Sequence, residues 1–506
     1  MLQGAGTETP RTSQRVPSTE LSKRSLTELS RMLRARTISS LELVDACIAR
    51  IEGVNPALNA VVATRFEAAR EEARAADEAL ARGADVPVLH GVPCTVKDFL
   101  AVTGLPQTAG LVARKNAIAK SDAVLVQRLR KAGAIILGTT NIPEGGLYLE
   151  TSNKLFGRTN NPWDLGRTPG GSSGGEGSII ATGGAPFGIG SDVGGSVRIP
   201  AAFCGTVGHK ASGGLLPNTG GFPNPPAALS PFLCHGPLVR RVGDVMPLLR
   251  VLAGRCADEP GTRDFELGDP DAVDVRGMIV YAIEESGRMP VSEVMKRSVR
   301  NAARALADRG AEVREAKLPA LKRGFEIWGA MMQEAAAGER YEKILADGTG
   351  KEEIDPYGEL AKWALGRSNH TFPALAVCAI GRVLERFTSQ AARLAEEGRA
   401  LAAELDAMLG DRGVLLYPPY TRTAPRHGEP MLRPLDVGHT AVFNPLRVPI
   451  TVVPVGFDAK GLPASVQVIA NVGRDHVSIA AARVIEEAFG GWALANPIYD
   501  PVRRTG

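Results

Sequence analysis

Apolar and polar residues alternate on two periods along this chain, and the switches between them sketch an α/β protein. Leu41, Val44, Ile48 and Ile51 recur at helical spacing and mark one buried stripe. Two capping boxes, Ser25-Leu26-Thr27-Glu28 and Ser39-Ser40-Leu41-Glu42, each predict a helix start. In such a box the serine side chain and the glutamate three residues later satisfy each other's free N–H groups. Asn55-Pro56 is expected to end the second helix. A third is expected over 65–82, rich in Ala, Glu and Arg, with Gly83 placed to cap its C-terminus.

Beyond it, short β-like runs alternate with helical ones: 93–96, then a helix over 123–132, then 134–137. Further strands are expected at 278–282, 414–417, 450–455 and 465–469, so the sheet draws on both halves of the chain. Between them lies a helical segment, roughly 321–409, in which Ile380, Val383, Phe387, Ala391, Leu394, Leu401, Leu405 and Met408 fall near a helical period. A long helix in this segment would run on the order of 50 Å. No internal repeat is present. The organisation predicted is a single large α/β domain over 23–500 with a helical insertion at about 321–409. A polar tail over 1–22, rich in Gly, Thr, Ser, Pro and Gln, is expected to be disordered.

Composition narrows the function classes. A formal net charge of +4 over 506 residues is too small to suggest a nucleic-acid partner. The six cysteines include no C-x-x-C pair, and the seven histidines do not cluster at metal-ligand spacing, so neither a metal nor a disulfide framework is implied. The tail lacks the apolar core of a signal peptide, and no apolar run approaches the roughly 18 residues of a membrane-spanning helix. A cytoplasmic location is expected.

The chemistry concentrates in Gly170-Gly171-Ser172-Ser173-Gly174-Gly175, in Ser191-Asp192-Val193-Gly194-Gly195-Ser196-Val197-Arg198, and in Val96-Lys97-Asp98 upstream. A serine hydroxyl is a poor nucleophile until a base takes its proton, and successive glycines let backbone N–H groups converge on one point that could hold an oxyanion. A lysine serves as base only when neutral, against a reference pKa of about 10.4. Burial lowering it by roughly 2 to 3 units corresponds to about 3 to 4 kcal/mol, within the reach of desolvation. Cys94, Val96, Phe99 and Leu100 supply an apolar setting for Lys97. Taken singly, each part has an ordinary reading: a Gly/Ser run is a turn, and a lysine at a strand end is a solvated charge. The G-x-S-x-G match at 171–175 lacks the strand that should lead into a nucleophile elbow, and Gly348-Thr349-Gly350-Lys351 is only half a phosphate loop. Together, Lys97, Ser172 and Ser196 point to acyl transfer with a lysine base.

This constellation resembles the amidase signature family, in which G-G-S-S-G-G is followed by D-I-G-G-S-x-R-x-P, here Asp192-Val193-Gly194-Gly195-Ser196-Val197-Arg198-Ile199-Pro200. The resemblance implies a mixed, twisted β-sheet covered by helices on both faces. It implies Ser196 as nucleophile, Ser172 as a bridging serine held by a cis peptide, and Lys97 as base. The N–H groups of Val193, Gly194, Gly195 and Ser196 would form the oxyanion hole, with Ser173, Asp192 and Arg198 supporting. Such a relay can return a proton to the departing amine, which favours amide substrates. No metal or cofactor is implied.

The similarity extends over about 25–492. Gly174-Gly175-Glu176-Gly177, Pro217-Asn218-Thr219-Gly220-Gly221-Phe222-Pro223, Phe232-Leu233-Cys234-His235-Gly236-Pro237, Lys362-Trp363-Ala364-Leu365-Gly366 and Phe489-Gly490-Gly491-Trp492 look like the fatty-acid amide hydrolases, especially the second type. That branch implies an acyl chain lying in an apolar channel, for which Leu147, Leu149, Trp328, Met331 and Met332 are candidates. A homodimer is implied as well. A polar start in place of a membrane segment leaves at most peripheral contact with lipid, through Trp363, Leu365, Phe372, Leu375 and Val377 around Pro373. The alternatives are the amidase subunit of a tRNA-dependent glutamine amidotransferase, a short-chain or aryl amidase, and an idle scaffold that kept the fold.

Overall fold

Both capping boxes form: Ser25 with Glu28 opens helix Leu26–Arg34, and Ser39 with Glu42 opens helix Ser40–Leu58. The second helix does not stop at Asn55-Pro56. Its end lies at Asn59, which is left-handed at φ 51° and donates its N–H to Asn55 O, while the Asn55 side chain accepts from the N–H groups of Ala60 and Val61. Pro56 therefore sits inside the last turn, and the asparagines terminate the ladder. The third helix spans Phe66–Ala81, with Gly83 at φ 74° just past its end.

The computed structural model describes residues 17–384 and 388–496. Its strands are β1 (Val61–Thr64), β2 (Pro93–Lys97), β3 (Ile135–Thr140), β4 (Ser152–Asn153), β5 (Gly157–Arg158), β6 (Phe187–Asp192) and β7 (Val207–Lys210). They continue with β8 (Cys234–Val239), β9 (Ile279–Ala282), β10 (Glu312–Glu315), β11 (Gly413–Tyr417), β12 (Ile450–Phe457) and β13 (Pro463–Ile469). The pair β4 and β5 stands apart. The other strands form one 11-stranded sheet in the order β1-β3-β2-β6-β8-β7-β12-β13-β11-β9-β10, flanked by helices. It is mixed: β3, β2 and β6 run parallel, as do β11, β9 and β10, while β8, β7, β12 and β13 pair antiparallel. The expected strands at 93–96, 134–137, 278–282, 414–417, 450–455 and 465–469 all take part, and the second half of the chain completes the sheet begun by the first.

The insertion is helical but not one rod. Helices Gly324–Ala336, Tyr341–Ala346, Pro356–Ala364, Phe372–Leu384 and Thr388–Leu409 share it, and the last spans about 33 Å at 1.5 Å per residue. Phe387 and the side chain of Val383 lie outside the described residues. Leu394, Leu401 and Leu405 are buried with Ile327, Ile450 and Ile469, which fastens the insertion to β12 and β13, whereas Ile380 is exposed.

Within the polar tail expected over 1–22, Ser18–Leu21 makes a helical turn and Leu21 is buried, because that side chain joins the main core. Residues 1–16 and 497–500 lie outside the described residues. Among the residues placed around Pro373, Leu365 is exposed and Trp363 packs on Phe372 at 4.9 Å, but Leu375 is buried in a small core with Leu345 and Ile354. No helix among the described residues is long and apolar enough to cross a membrane.

Candidate active site

Parallel neighbours β2 and β6 end side by side, and their C-terminal ends carry Lys97 and Asp192. Ligands of open α/β sheets gather at such ends. The loop after β6 supplies residues 193–197 and runs into helix Arg198–Cys204, while the Gly/Ser loop runs into helix Gly174–Ala181. Thr151 stitches that loop down: its Oγ1 donates to Gly170 O at 2.9 Å and accepts from Gly174 N at 3.1 Å.

Lys97 is fully buried, and its Nζ lies 2.6 Å from Ser172 Oγ and 2.9 Å from Ser191 Oγ. Burial pushes the amine down from 10.5 to about 7, with the charges of Asp192 and Glu176 pulling the other way. The Gly171–Ser172 peptide is cis. Ser173 N–H donates to Ser196 O at 3.1 Å and Ser173 Oγ donates to Ser191 O at 3.3 Å, so the two serine loops are tied together. Ser196 is 9% exposed, more open than Lys97 or Ser172, and its Oγ has no hydrogen-bond partner among the described residues.

Asp192 shapes the nucleophile loop. Its carboxylate accepts from Gly195 N at 2.7 Å, from Val197 N at 3.0 Å, and from Arg198 Nε and Nη2 at 3.0 and 2.9 Å. Burial alone would raise its pKa, but the Arg198 guanidinium holds the carboxyl well below the usual range. Arg198 is itself fully buried and also donates to Thr440 O, Gln467 Oε1 and Asn444 Oδ1. Asn444, Thr440, Gln467 and Ser191 were not singled out from the sequence. Ser191 stands in the motif beside Asp192, so its place was visible; the other three lie in a stretch with no spacing cue.

The N–H groups of the expected oxyanion set differ in their partners. The Gly195 N–H is engaged by Asp192, whereas those of Val193, Gly194 and Ser196 make no hydrogen bond to described residues. Among the channel candidates, Trp328 donates Nε1–H to Val193 O at 2.8 Å, and its ring lies 3.5 Å from where a Gly194 Cβ would be. Met331 is buried in the insertion's core, and its Sδ is 2.3 Å from where a Gly398 Cβ would sit. Met332 is half-buried on the same helix, Leu149 packs against the main core, and Leu147 lines a cleft of about 380 Å³ with Tyr148, Tyr341 and His427.

The family model described as Amidase matches residues 42–478. The chain is 39% identical to "Fatty-acid amide hydrolase 2" of Homo sapiens over 92% of this chain and 89% of that protein. It is 30% identical to a glutamyl-tRNA(Gln) amidotransferase subunit from Prochlorococcus marinus over 92% of this chain and 96% of that one. Among solved structures, 6-aminohexanoate cyclic dimer hydrolase complexed with substrate superposes with a TM-score of 0.76 at 28% identity, covering 94% of this chain and 99% of that one.

Proposed function

The chain belongs to the amidase signature family and is an amide-hydrolysing enzyme, and from that premise we propose that it cleaves fatty-acid amides through a Lys97, Ser172 and Ser196 relay. The observation that carries the relay is the 2.6 Å contact between the buried Lys97 amine and Ser172 Oγ, with the amine held near neutrality at about 7. Lys97 takes the Ser172 proton as Ser172 takes that of Ser196, whose Oγ attacks the amide carbonyl. The free N–H groups of Val193, Gly194 and Ser196 are positioned on the same loop to receive the oxyanion that develops. Reversal of the relay protonates the leaving amine, and water then resolves the acyl-enzyme by the same path.

The acyl preference rests on the 39% identity to the human fatty-acid amide hydrolase 2 and on the Trp328 indole laid against Val193 and Gly194. The 30% identity to an amidotransferase component keeps a second reading, release of ammonia from glutamine for a partner enzyme. A turnover screen over long-chain, short-chain and aryl amides and glutamine, with Ser196→Ala as blank, separates these. Long-chain amides turned over best, with no turnover or fluorophosphonate labelling in the blank, is the expected result. Glutamine as the preferred substrate, or a folded Ser196→Ala protein that still turns over amides, overturns it.

A further inference from the structure

We propose that Glu176 is a positioning residue for Lys97, a buried carboxyl that offsets the charge the amine acquires when it takes the Ser172 proton. The inference rests on Lys97 being the base. Glu176 is the third residue of helix Gly174–Ala181 and is fully buried. Its Oε2 accepts from Thr95 Oγ1 at 2.6 Å and its Oε1 from Thr140 Oγ1 at 2.9 Å. Thr95 precedes Lys97 by two positions on β2, so both side chains leave the same face of the strand. Thr140 is the register partner of Lys97 on β3. From β6, Gly188 approaches so closely that a Cβ there would fall 1.8 Å from Glu176 Oε2. Three strands thus clamp this carboxyl against the lysine's strand.

A carboxylate that is kept dry and bonded only by two neutral hydroxyls is costly unless a positive charge lies near. Lys97 is that charge, since each group acts electrostatically on the other. Burial lowers the amine to about 7 and raises the carboxyl to about 8, so near neutrality the two groups titrate as a coupled pair. Where the carboxyl is ionised, its charge stabilises the ammonium that forms during acylation. Among the other groups near the pair, Asp192 on β6 also draws the amine toward its charged form, more strongly than Glu176 although Arg198 pairs with it, and it is unchanged in every variant compared below. His235 on β8 is held by burial at about 4, the Cys94 thiol on β2 is pushed up, and Asp98, raised to about 7, is bonded to Thr108.

The same two threonine bonds would serve a mere clasp between helix and sheet, and a pH profile separates that role from the one proposed. The assay is kcat/KM for a short aryl amide against pH, in the wild-type enzyme, Glu176→Gln, Thr140→Val and Lys97→Ala. Removing the negative charge leaves the amine easier to deprotonate, so the acid limb of Glu176→Gln should move down by about one pH unit. Thr140→Val keeps the carboxyl but strips one donor, which favours its protonated form, and should move the limb the same way by less. An acid limb that stays in place in Glu176→Gln while the plateau falls equally at every pH reduces Glu176 to a clasp. If Glu176→Gln fails to fold, an unmoved limb in Thr140→Val overturns the proposal instead. Amide turnover surviving in folded Lys97→Ala would refute the base assignment itself, a failure distinct from these.

Discussion

Replacing Lys97 by Met tests the burial on which the mechanism depends. The amine sits fully buried at about 7 against 10.5 in the unconstrained side chain. Below pH 7 both folded and unfolded chains hold this proton, and the full penalty of a buried charge is present. Between about 7 and 10.5 the unfolded chain still binds the proton while the folded one has released it, so stability rises with pH across that window. Integrating the linkage, the lysine costs about 4 kcal/mol at pH 7 and about 2 kcal/mol at pH 9. Methionine carries no such penalty, although Ser172 and Ser191 then lose a partner worth about 1 kcal/mol each at either pH. Loss of the lysine also lets the Glu176 carboxyl rise further, which acts in the same direction. The assay is urea unfolding of both proteins at pH 7 and pH 9, alongside amide turnover. The expected result is an inactive variant against which the wild-type protein gains about 2 kcal/mol on going from pH 7 to pH 9. An identical stability difference at the two pH values would mean that Lys97 is not desolvated, and the argument for a neutral base would fall with it.

Asp192→Asn keeps the shape of the side chain but leaves the buried Arg198 guanidinium without its counter-charge, and should cost about 3 to 5 kcal/mol in denaturant unfolding; a loss under about 1 kcal/mol would contradict the ion pair. Gly188→Ala drives a methyl into the Glu176 carboxyl and should destabilise by about 1 to 3 kcal/mol. Combining it with Glu176→Ala should cost less than the two changes summed, and strict additivity would contradict the contact. Trp328→Ala removes the indole bond to Val193 O and should lower kcat/KM for a long-chain amide about tenfold. An acetyl amide losing as much would show that Trp328 shapes the loop and not the acyl site.

The capping boxes were legible because each is a local bond pattern written in four consecutive letters, and Ser25 and Ser39 behave accordingly. Strands rich in β-branched residues, such as β12 and β13, announced themselves for the same reason. β6 and β8 did not, since Phe-Gly-Ile-Gly-Ser-Asp and Cys-His-Gly-Pro-Leu-Val carry poor strand formers. Those glycines answer to neighbours distant in sequence: a Cβ at Gly236 would fall 1.6 Å from His209 O on β7. What Met331 packs on was not legible, because a Met/Trp pattern on a helix does not say which neighbour each side chain meets, and the facing Gly398 lies on another helix.

Order along the chain, then, determined which groups could react: a lysine within an apolar strand, two serines within glycine-rich loops, and an acid followed six residues later by an arginine. Chain folding decided whether they meet and in what state, because proton affinity depends on removal from water and on charges brought across the sheet. Burial behind walls drawn from β2, β3 and β6 lowers the Lys97 amine, and Arg198 is held by Asn444 and Gln467 from the far end of the sequence. Local letters encode chemical type, while distance and dielectric belong to contacts that no short stretch contains.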